Sequence, residues 1–347
     1  MSIEWKTYLA SQGATFSKDG QITDFQQQAV LSKEAVVCPL ESQAIVAISG
    51  PDSQRFLQGQ LSCNMETPKP EQWATGVACT PKGRMYSSFT LINTGSGYLL
   101  KMHRGIVGTF IQHLEKYAVF YKSKISQPDT PMMCLGLSGT HVTDVLSGQL
   151  PILPENQDAM AIDNSFLIKA PGMDNTYELW LPEEHLPQWW TKLTTQLQAA
   201  PESYWQRKMI QAVIPQVRPE YNEKYIPQHL NYPSIGYVSF RKGCYTGQEI
   251  IARMQNLGQQ KSRTYSLVCT GTDNVLPGAK LENGKGQVIG EILESVSSIN
   301  SNSCHALAVI RIEAAESNDV ILTESKTRTI QVSPIPYPID PRAELQQ

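Results

Sequence analysis

One short segment of this 347-residue chain combines a thiol with neighbouring cations and glycines. It reads Ser-Phe-Arg-Lys-Gly-Cys-Tyr-Thr-Gly-Gln-Glu over residues 239–249. Cys244 directly follows Arg241, Lys242 and a glycine, and nearby cations favour the thiolate, which is the reactive form of cysteine. We therefore predict that Cys244 is the reactive group of this protein.

The residues after Cys244 predict the start of a helix. Thr246 and Glu249 stand three residues apart before two isoleucines, which is the spacing of a capping box. A helix from Gly247 to about Gly258 follows from this pattern. Its positive N-terminal dipole would further favour the Cys244 thiolate.

The other metal-binding residue types show no such grouping. The chain has seven cysteines and six histidines, with no CxxC, HxxxH or HxH pattern. We predict no metal site, and we expect free thiols in a reducing compartment. Charges in the first residues argue against a signal peptide, and no apolar run reaches the ~20 residues of a membrane span. The sequence therefore predicts a cytoplasmic protein that has no membrane partner.

Charge is spread unevenly along the chain, although the net charge is only -3. Residues 82–124 contain seven basic residues and one acid, and residues 241–263 contain five basic residues and one acid. If these two segments meet, they form a basic surface on an acidic protein. The alternative is two separate solvated faces.

The elements that must position Cys244 follow an irregular order. A strand at 44–49, a helix from Ser53, strands at 73–79, 85–92 and 98–102, a helix at 106–116 and a strand at 119–121 fit the apolar spacing. This order predicts the α+β class.

Two further regions differ in texture from the first. Residues 128–200 alternate strand and helix patterns, with strands at 132–137, 162–170 and 176–181 and helices at 141–146 and 189–197. A helix at 204–213 precedes a long proline-rich passage. From 262 onward, short alternating runs separated by turn residues predict a small β-barrel or sandwich.

Residues 242–249 also carry a family resemblance. The octapeptide Lys-Gly-Cys-Tyr-Thr-Gly-Gln-Glu resembles the signature of YgfZ-type folate-binding proteins, which are relatives of the glycine-cleavage aminomethyltransferase. Other matching segments, which occur in the same order, are Gln58–Gln60, Lys82–Met85, Lys116–Phe120, Ile226–Gln228 and Pro334–Tyr337. The resemblance covers almost the whole chain.

This resemblance implies a three-part, clover-like, aminomethyltransferase-type folate-binding fold with a C-terminal small β-barrel. Its expected parts are an N-terminal α+β domain at 1–127, a second α+β domain at 128–200, a helix and signature segment at 201–261 that completes a central folate channel, and the barrel at 262–347. It also implies a role in supporting iron-sulfur enzymes, including those that modify tRNA.

The same resemblance implies the folate-binding residues. Trp205 matches a family tryptophan associated with folate, and an indole can stack on a flat pterin. A second family tryptophan is replaced by Gln43, and a family carboxylate is replaced by Gln211. Lys242, Gly243 and Tyr245 of the signature complete the expected site for tetrahydrofolate.

One departure concerns catalysis. The aminomethyltransferases place an aspartate where this chain has Ser87 and Ser88, and neither serine holds a negative charge at neutral pH. The sequence therefore favours a folate-binding accessory protein without classical turnover. The alternatives are a folate-dependent aminomethyl or methyl transferase that uses a different acid, and an RNA-binding module with a vestigial folate site. Direct contact with tRNA remains open, because folate glutamates and tRNA phosphates would attract the same cations.

Overall fold

The first sheet contains five antiparallel strands in the order β5-β6-β7-β4-β8. The computed structural model describes residues 3–26, 35–271, 275–298, 302–323 and 329–339. The strands of this sheet are β4 (Gln43–Ser49), β5 (Gln72–Cys79), β6 (Met85–Asn93), β7 (Gly97–His103) and β8 (Lys124–Ser126). Nearly every residue of β6 is buried, so both faces of the sheet are covered.

Two helices cover one face of this sheet. They are α2 (Ser53–Gln60) and α3 (Val107–Ala118). Phe56 of α2 and Phe110 of α3 are fully buried in the same cluster as Phe89 of β6. The buried side chains of each helix recur at helical spacing, so the sequence pattern predicts both helices.

The second sheet has six strands in the order β10-β11-β12-β9-β3-β13. They are β3 (Val36–Pro39), β9 (Met132–Ser138), β10 (Ala159–Ile162), β11 (Ser165–Lys169), β12 (Thr176–Pro182) and β13 (Gln198–Ala199). Its outer face packs against α1 (Ile3–Ser11), α4 (Val142–Ser147), α5 (Leu186–Thr194) and the hairpin β1 (Ala14–Phe16) and β2 (Ile22–Phe25).

A separate apolar layer joins the two sheets. Trp73 and Ile92 of the first sheet share a buried cluster with Trp180 of the second sheet and with Trp205. Trp205 lies on α6 (Glu202–Gln211), which follows the second sheet. Burial of these large side chains between sheets stabilises the arrangement by the removal of apolar surface from water.

The passage after α6 is proline-rich and mostly buried. Three short 3-10 turns at Pro219–Tyr221, Pro227–Leu230 and Tyr232–Ile235 carry it across the first sheet, and Tyr232 is fully buried. Each turn has a proline in its first residues, where the fixed φ is compatible with helical geometry. The passage ends at α7 (Gln248–Leu257).

The C-terminal region is a six-stranded antiparallel sheet in the order β18-β15-β16-β17-β14-β19. Its elements are β14 (Ser262–Thr270), β15 (Lys280–Glu282), β16 (Val288–Ser297), β17 (Ser303–Arg311), α8 (Ile312–Glu316), β18 (Ile321–Leu322) and β19 (Thr329–Val332). The edge strands β18 and β19 contact each other, so the sheet forms a nearly closed barrel. The all-β prediction for this region is confirmed. The last of its short alternating runs spans residues 327–332, and residues 327 and 328 lie outside the described residues.

The strand predicted at 119–121 is wrong. Val119 and Phe120 follow α3 in an exposed turn, and the chain enters the sheet only at β8. A short apolar run looks like a strand in sequence whether or not a partner strand is in reach. The division between domains at residue 127 stays a prediction, and strand pairing crosses it because β3 lies beside β9.

Candidate functional site

The signature loop, residues 239–247, lies against the C-terminal end of α2. The backbone N–H of Ser239 donates to the carbonyl of Ser62 at 3.0 Å, and the N–H of Thr246 donates to the carbonyl of Gly59 at 3.1 Å. These two bonds join segments that are far apart in sequence. The loop is therefore held at one end by Ser62, which lies between α2 and β5, and at the other end by Gly59 of α2.

Lys242 fastens the middle of the signature loop. Its ammonium donates to the carbonyls of Gln58, Leu61 and Cys63 at 2.6–2.8 Å and lies 5.0 Å from the ring centre of Tyr245. Carbonyls at the end of a helix lack partners within the helix, and a lysine satisfies them well. Burial lowers the pKa of Lys242 to about 8. Both Lys242 and Tyr245 are thus buried groups that position the loop.

The signature loop also packs against the turn between β5 and β6. Gly247 has φ +87°, and a Cβ there would lie 2.6 Å from the carbonyl oxygen of Thr80. Gly83 in the turn has φ +69°, and a Cβ there would lie 3.0 Å from Cβ of Ile250. The two basic segments of the sequence therefore meet at this point, and both glycines are required for the close approach.

The capping box predicted at Thr246 and Glu249 is wrong. The helix α7 starts at Gln248, one residue after the predicted start, and Gly247 occupies the cap position in the left-handed conformation without a side-chain cap bond. The Thr246 hydroxyl instead contacts the side-chain oxygen of Gln60 at 3.2 Å. Contact with α2 has taken the hydroxyl away from the helix terminus.

Cys244 and Gly243 lie at the exposed tip of the signature loop. The other six cysteines are all buried. Burial raises the pKa of Cys38, Cys79 and Cys134, and it raises the pKa of Cys63 to about 11. Cys244 is therefore the one cysteine whose thiol, a soft nucleophile and metal ligand, is accessible to solvent.

Two small cavities, called here the inner cavities, lie between the two sheets and α6. Their volumes are about 20 and 30 Å³, and both are lined by Lys101, Met209, Ile214 and Gln216. Each volume corresponds to about one water molecule. The inner cavities are therefore too small for a bicyclic ring in this conformation.

Trp205 and Gln43 both line the second inner cavity. The Trp205 ring is 4% exposed and packs on Gly136, where a Cβ would lie 2.3 Å from the ring. The side chains of Gln43 and Gln216 exchange two amide hydrogen bonds at 2.9 and 2.8 Å. The structure thus brings Gln43 of β4 and Trp205 of α6 to the same cavity. No residue of the signature loop lines this cavity.

A buried ion pair between Lys101 and Glu178 lines the first inner cavity, and sequence reasoning missed it as a site. The Glu178 carboxylate also accepts a hydrogen bond from the Trp180 indole at 2.9 Å. The available signal was one charged residue within each of two strands of otherwise uncharged sequence, β7 and β12. Their pairing across 77 residues was not visible.

A wider opening, called here the outer cleft, has a volume of about 620 Å³. Residues that line it include Gly139, Asp174, Lys208, Gln211 and Tyr337, and Met173 lines both the outer cleft and the first inner cavity. Met173 therefore lies between the outer cleft and the first inner cavity. Gln211 lies here, whereas Trp205, Gln43 and the signature loop do not line the cleft.

Ser87 and Ser88 are buried on β6. The Ser88 hydroxyl lines the first inner cavity and accepts a hydrogen bond from the Val217 N–H at 2.9 Å. The carboxylate that lines the same cavity, Glu178, is already paired with Lys101. This arrangement gives Ser88 a structural hydrogen bond on β6.

In the part of the chain that the structure describes, no three histidine, cysteine or acidic side chains are grouped so that they would hold a metal ion. None of the helices there has the length and apolar character needed to cross a membrane.

Comparison with known proteins finds curated relatives along most of the chain. The protein is 27% identical over 305 residues to a "tRNA-modifying protein YgfZ" of Cronobacter sakazakii, covering 87% of this chain and 92% of the relative. It is also 27% identical over 327 residues to the protein of that name from Photorhabdus laumondii, covering 92% and 98% of the two chains. No family model matches. The resemblance seen in the signature is confirmed.

A solved structure shows the same fold. The glycine cleavage system aminomethyltransferase T of Bartonella henselae superposes with a TM-score of 0.76 at 14% identity, covering 95% of this chain and 96% of that chain. The predicted aminomethyltransferase-type α+β fold with its C-terminal barrel is confirmed.

Proposed function

We propose that this protein, which resembles the YgfZ-type proteins over most of its length, is a cytoplasmic folate-binding accessory protein for iron-sulfur-dependent enzymes, including tRNA-modifying enzymes. The observation that supports it best is the outer cleft with Gln211 at its wall, in a chain that also carries the signature with Cys244. Tetrahydrofolate is the proposed cofactor, and the enzymes are the proposed partners.

The outer cleft fits such a ligand in size and in chemistry. Its volume of about 620 Å³ lies within the range of roughly 300–1,000 Å³ that is usual for small-molecule sites. The Gln211 amide would hydrogen-bond to the pterin edge, and Lys208 would attract the glutamyl carboxylates. Trp205 and Gln43 would contact the ligand only if it extends inward past Met173.

Cys244 would act at a different place from the folate. It does not line the outer cleft or the inner cavities, and the signature loop holds it in solvent beside α2. Reduced folate would supply one-carbon chemistry when it is bound. The exposed thiol would supply a soft ligand or nucleophile to a partner, and Lys242, Gly243 and Tyr245 would act by holding the loop that presents it.

Aminomethyl transfer is the alternative activity, and this site does not favour it. Ser87 and Ser88 cannot supply the carboxylate, and Glu178 is neutralised by its pairing with Lys101. We therefore prefer the accessory role over turnover.

Calorimetric titration of the purified protein with tetrahydrofolate under anaerobic conditions tests the folate proposal. We expect saturable binding, and we expect Gln211→Ala to weaken it roughly 3- to 10-fold, the scale of one net hydrogen bond. Gln196→Ala removes an exposed amide outside the cleft and serves as the matched control. Absence of saturable binding by the unmodified protein would refute the folate proposal.

A further inference from the structure

The turn after α3 exposes two adjacent apolar side chains. Val119 is 76% exposed and Phe120 is 80% exposed, which makes Phe120 the most exposed large hydrophobic residue among those described. The neighbouring Tyr121 packs its ring on Phe56, with ring centres 5.3 Å apart. The turn is therefore anchored by one aromatic ring and presents another to solvent.

Cations surround this turn. Lys116, Lys122 and Lys124 are exposed, and the Arg55 guanidinium of α2 lies 6.0 Å from the ring centre of Tyr121. Within the described part of the chain, none of these four cations forms an ion pair with a carboxylate. The nearby Asp52 carboxylate accepts the backbone N–H of Lys122 at 2.8 Å. The positive charge here is therefore available to a partner.

The same helix connects this turn to the signature loop. The N–H of Asp52, at the start of α2, donates to the carbonyl of Lys122, and Gly59 near its other end accepts from Thr246. A helix of eight residues is about 12 Å long. The basic aromatic turn and the loop of Cys244 thus adjoin opposite ends of α2. We call the surface formed by Arg55, Lys116, Phe120, Lys122 and Lys124 the α2 face.

We propose that the α2 face binds an unpaired stretch of RNA, such as a tRNA loop, with the Phe120 ring stacked on a base and the cations on phosphates. Exposed aromatic rings among cations are the usual platform for single-stranded nucleic acid. The cores of protein interfaces are depleted in lysine, whereas phosphate contacts are made by lysine and arginine. The lysine-rich surroundings of Phe120 therefore favour RNA over an acidic protein.

This inference deepens the proposed function, because it makes RNA itself a partner of the accessory protein. It places the bound strand at the end of α2 opposite to the loop that exposes Cys244. It does not depend on folate, since the α2 face and the outer cleft share no residue.

Fluorescence anisotropy with a labelled, unmodified tRNA transcript tests the proposal. We expect Phe120→Ala to weaken binding roughly 5- to 150-fold, the effect of losing one stacked base. The double change Lys122→Gln and Lys124→Gln should lower the slope of log affinity against log salt by about 1 to 2. Ile152→Ala and the pair Lys169→Gln and Lys285→Gln change equally exposed residue types elsewhere and should leave affinity unchanged.

Three results would overturn the proposal. They are no binding of the transcript, equal losses for the control lysines, and unchanged affinity in Phe120→Ala when the lysine variants bind more weakly. The last result would show that the exposed ring does not stack on a base. The tetrahydrofolate titration on the same variants should be unaffected, so failure of RNA binding and failure of folate binding are recognised separately.

Discussion

At the scale of single residues, solvent access distinguishes Cys244 from the other six cysteines. Burial keeps those six away from reagents, and it raises the pKa of Cys38, Cys63, Cys79 and Cys134. We expect limited alkylation with iodoacetamide at neutral pH to label Cys244 first. Peptide mapping by mass spectrometry measures the order, and earlier labelling of any buried cysteine would contradict it.

The functional role of Cys244 has a separate test. Cys244→Ala removes an exposed sulfur, so we expect the melting temperature and the tetrahydrofolate affinity to stay within error of the parent. We expect the same variant to lose support of iron-sulfur-dependent tRNA modification in a strain that lacks the parent gene, measured by the modified nucleosides in its tRNA. Full complementation by the variant would show that this thiol is dispensable, and unfolding would show that it is structural.

At the scale of elements, the approach of the signature loop to the turn between β5 and β6 depends on Gly247. Its positive φ and the Thr80 carbonyl 2.6 Å from a Cβ position leave no room for alanine. We expect Gly247→Ala to reduce the free energy of unfolding by roughly 1–3 kcal/mol, measured by urea denaturation. Gly243→Ala adds the same methyl group in open space on the same loop and should change stability little. Equal effects of the two variants would refute the packing account.

The start of α6 carries a titratable contact. Both oxygens of the buried Glu202 carboxylate accept hydrogen bonds from Ser42, at 2.8 and 2.5 Å, yet burial raises the Glu202 pKa to about 7. Between pH 4.5 and 7 the folded state then holds more protons than the unfolded state, so this group makes stability fall as pH rises.

We expect Glu202→Gln to reduce this pH dependence, because glutamine has no proton to lose. The contribution removed is on the order of 3 kcal/mol across the interval. Urea denaturation of both proteins at pH 5 and pH 7.5 measures it. Parallel pH dependence of the parent and the variant would show that Glu202 is ionised in the folded state throughout this range.

At the scale of the whole molecule, one strand of the barrel supplies two buried carboxylates to the passage after α6. Glu294 of β16 pairs with Arg218, and Glu291 pairs with Lys224 and Lys280 and accepts the Tyr225 hydroxyl. Arg218 and Glu294 also line the second inner cavity. Ionic contacts therefore join the barrel to the centre of the fold.

Breaking one of these pairs tests how the barrel is attached. We expect Arg218→Met to lower the free energy of unfolding by about 3–5 kcal/mol, because it leaves the Glu294 carboxylate buried without its partner. The double change Arg218→Met and Glu294→Leu should recover most of that loss, since no buried charge remains. Urea denaturation of the two single variants and the double variant completes the cycle. Additive losses would mean that the two side chains do not interact.

Much of the architecture could be predicted from local pattern. The spacing of apolar residues predicted β4 to β7, α2, α3 and the barrel strands, because each element buries a face whose periodicity is written in its own residues. The octapeptide at 242–249 likewise predicted the family resemblance and the fold. The short run at 119–121 was misread, because periodicity over three residues does not distinguish a strand from an exposed turn.

The tertiary structure alone decided what the functional residues do. The folate-binding role predicted for Lys242 stays a prediction. Its hydrogen bonds to the end of α2 and the residues just after it span 179–184 residues, and no local pattern indicates such contacts. The same holds for the ion pair of Lys101 and Glu178 and for the separation of Gln211 from Trp205. By itself the sequence determined most of the longer helices and strands, and it showed that Cys244 belongs to a distinctive motif. Packing between distant segments determined which side chains are exposed, paired or enclosed, because burial and hydrogen bonding depend on neighbours that only the folded chain brings together.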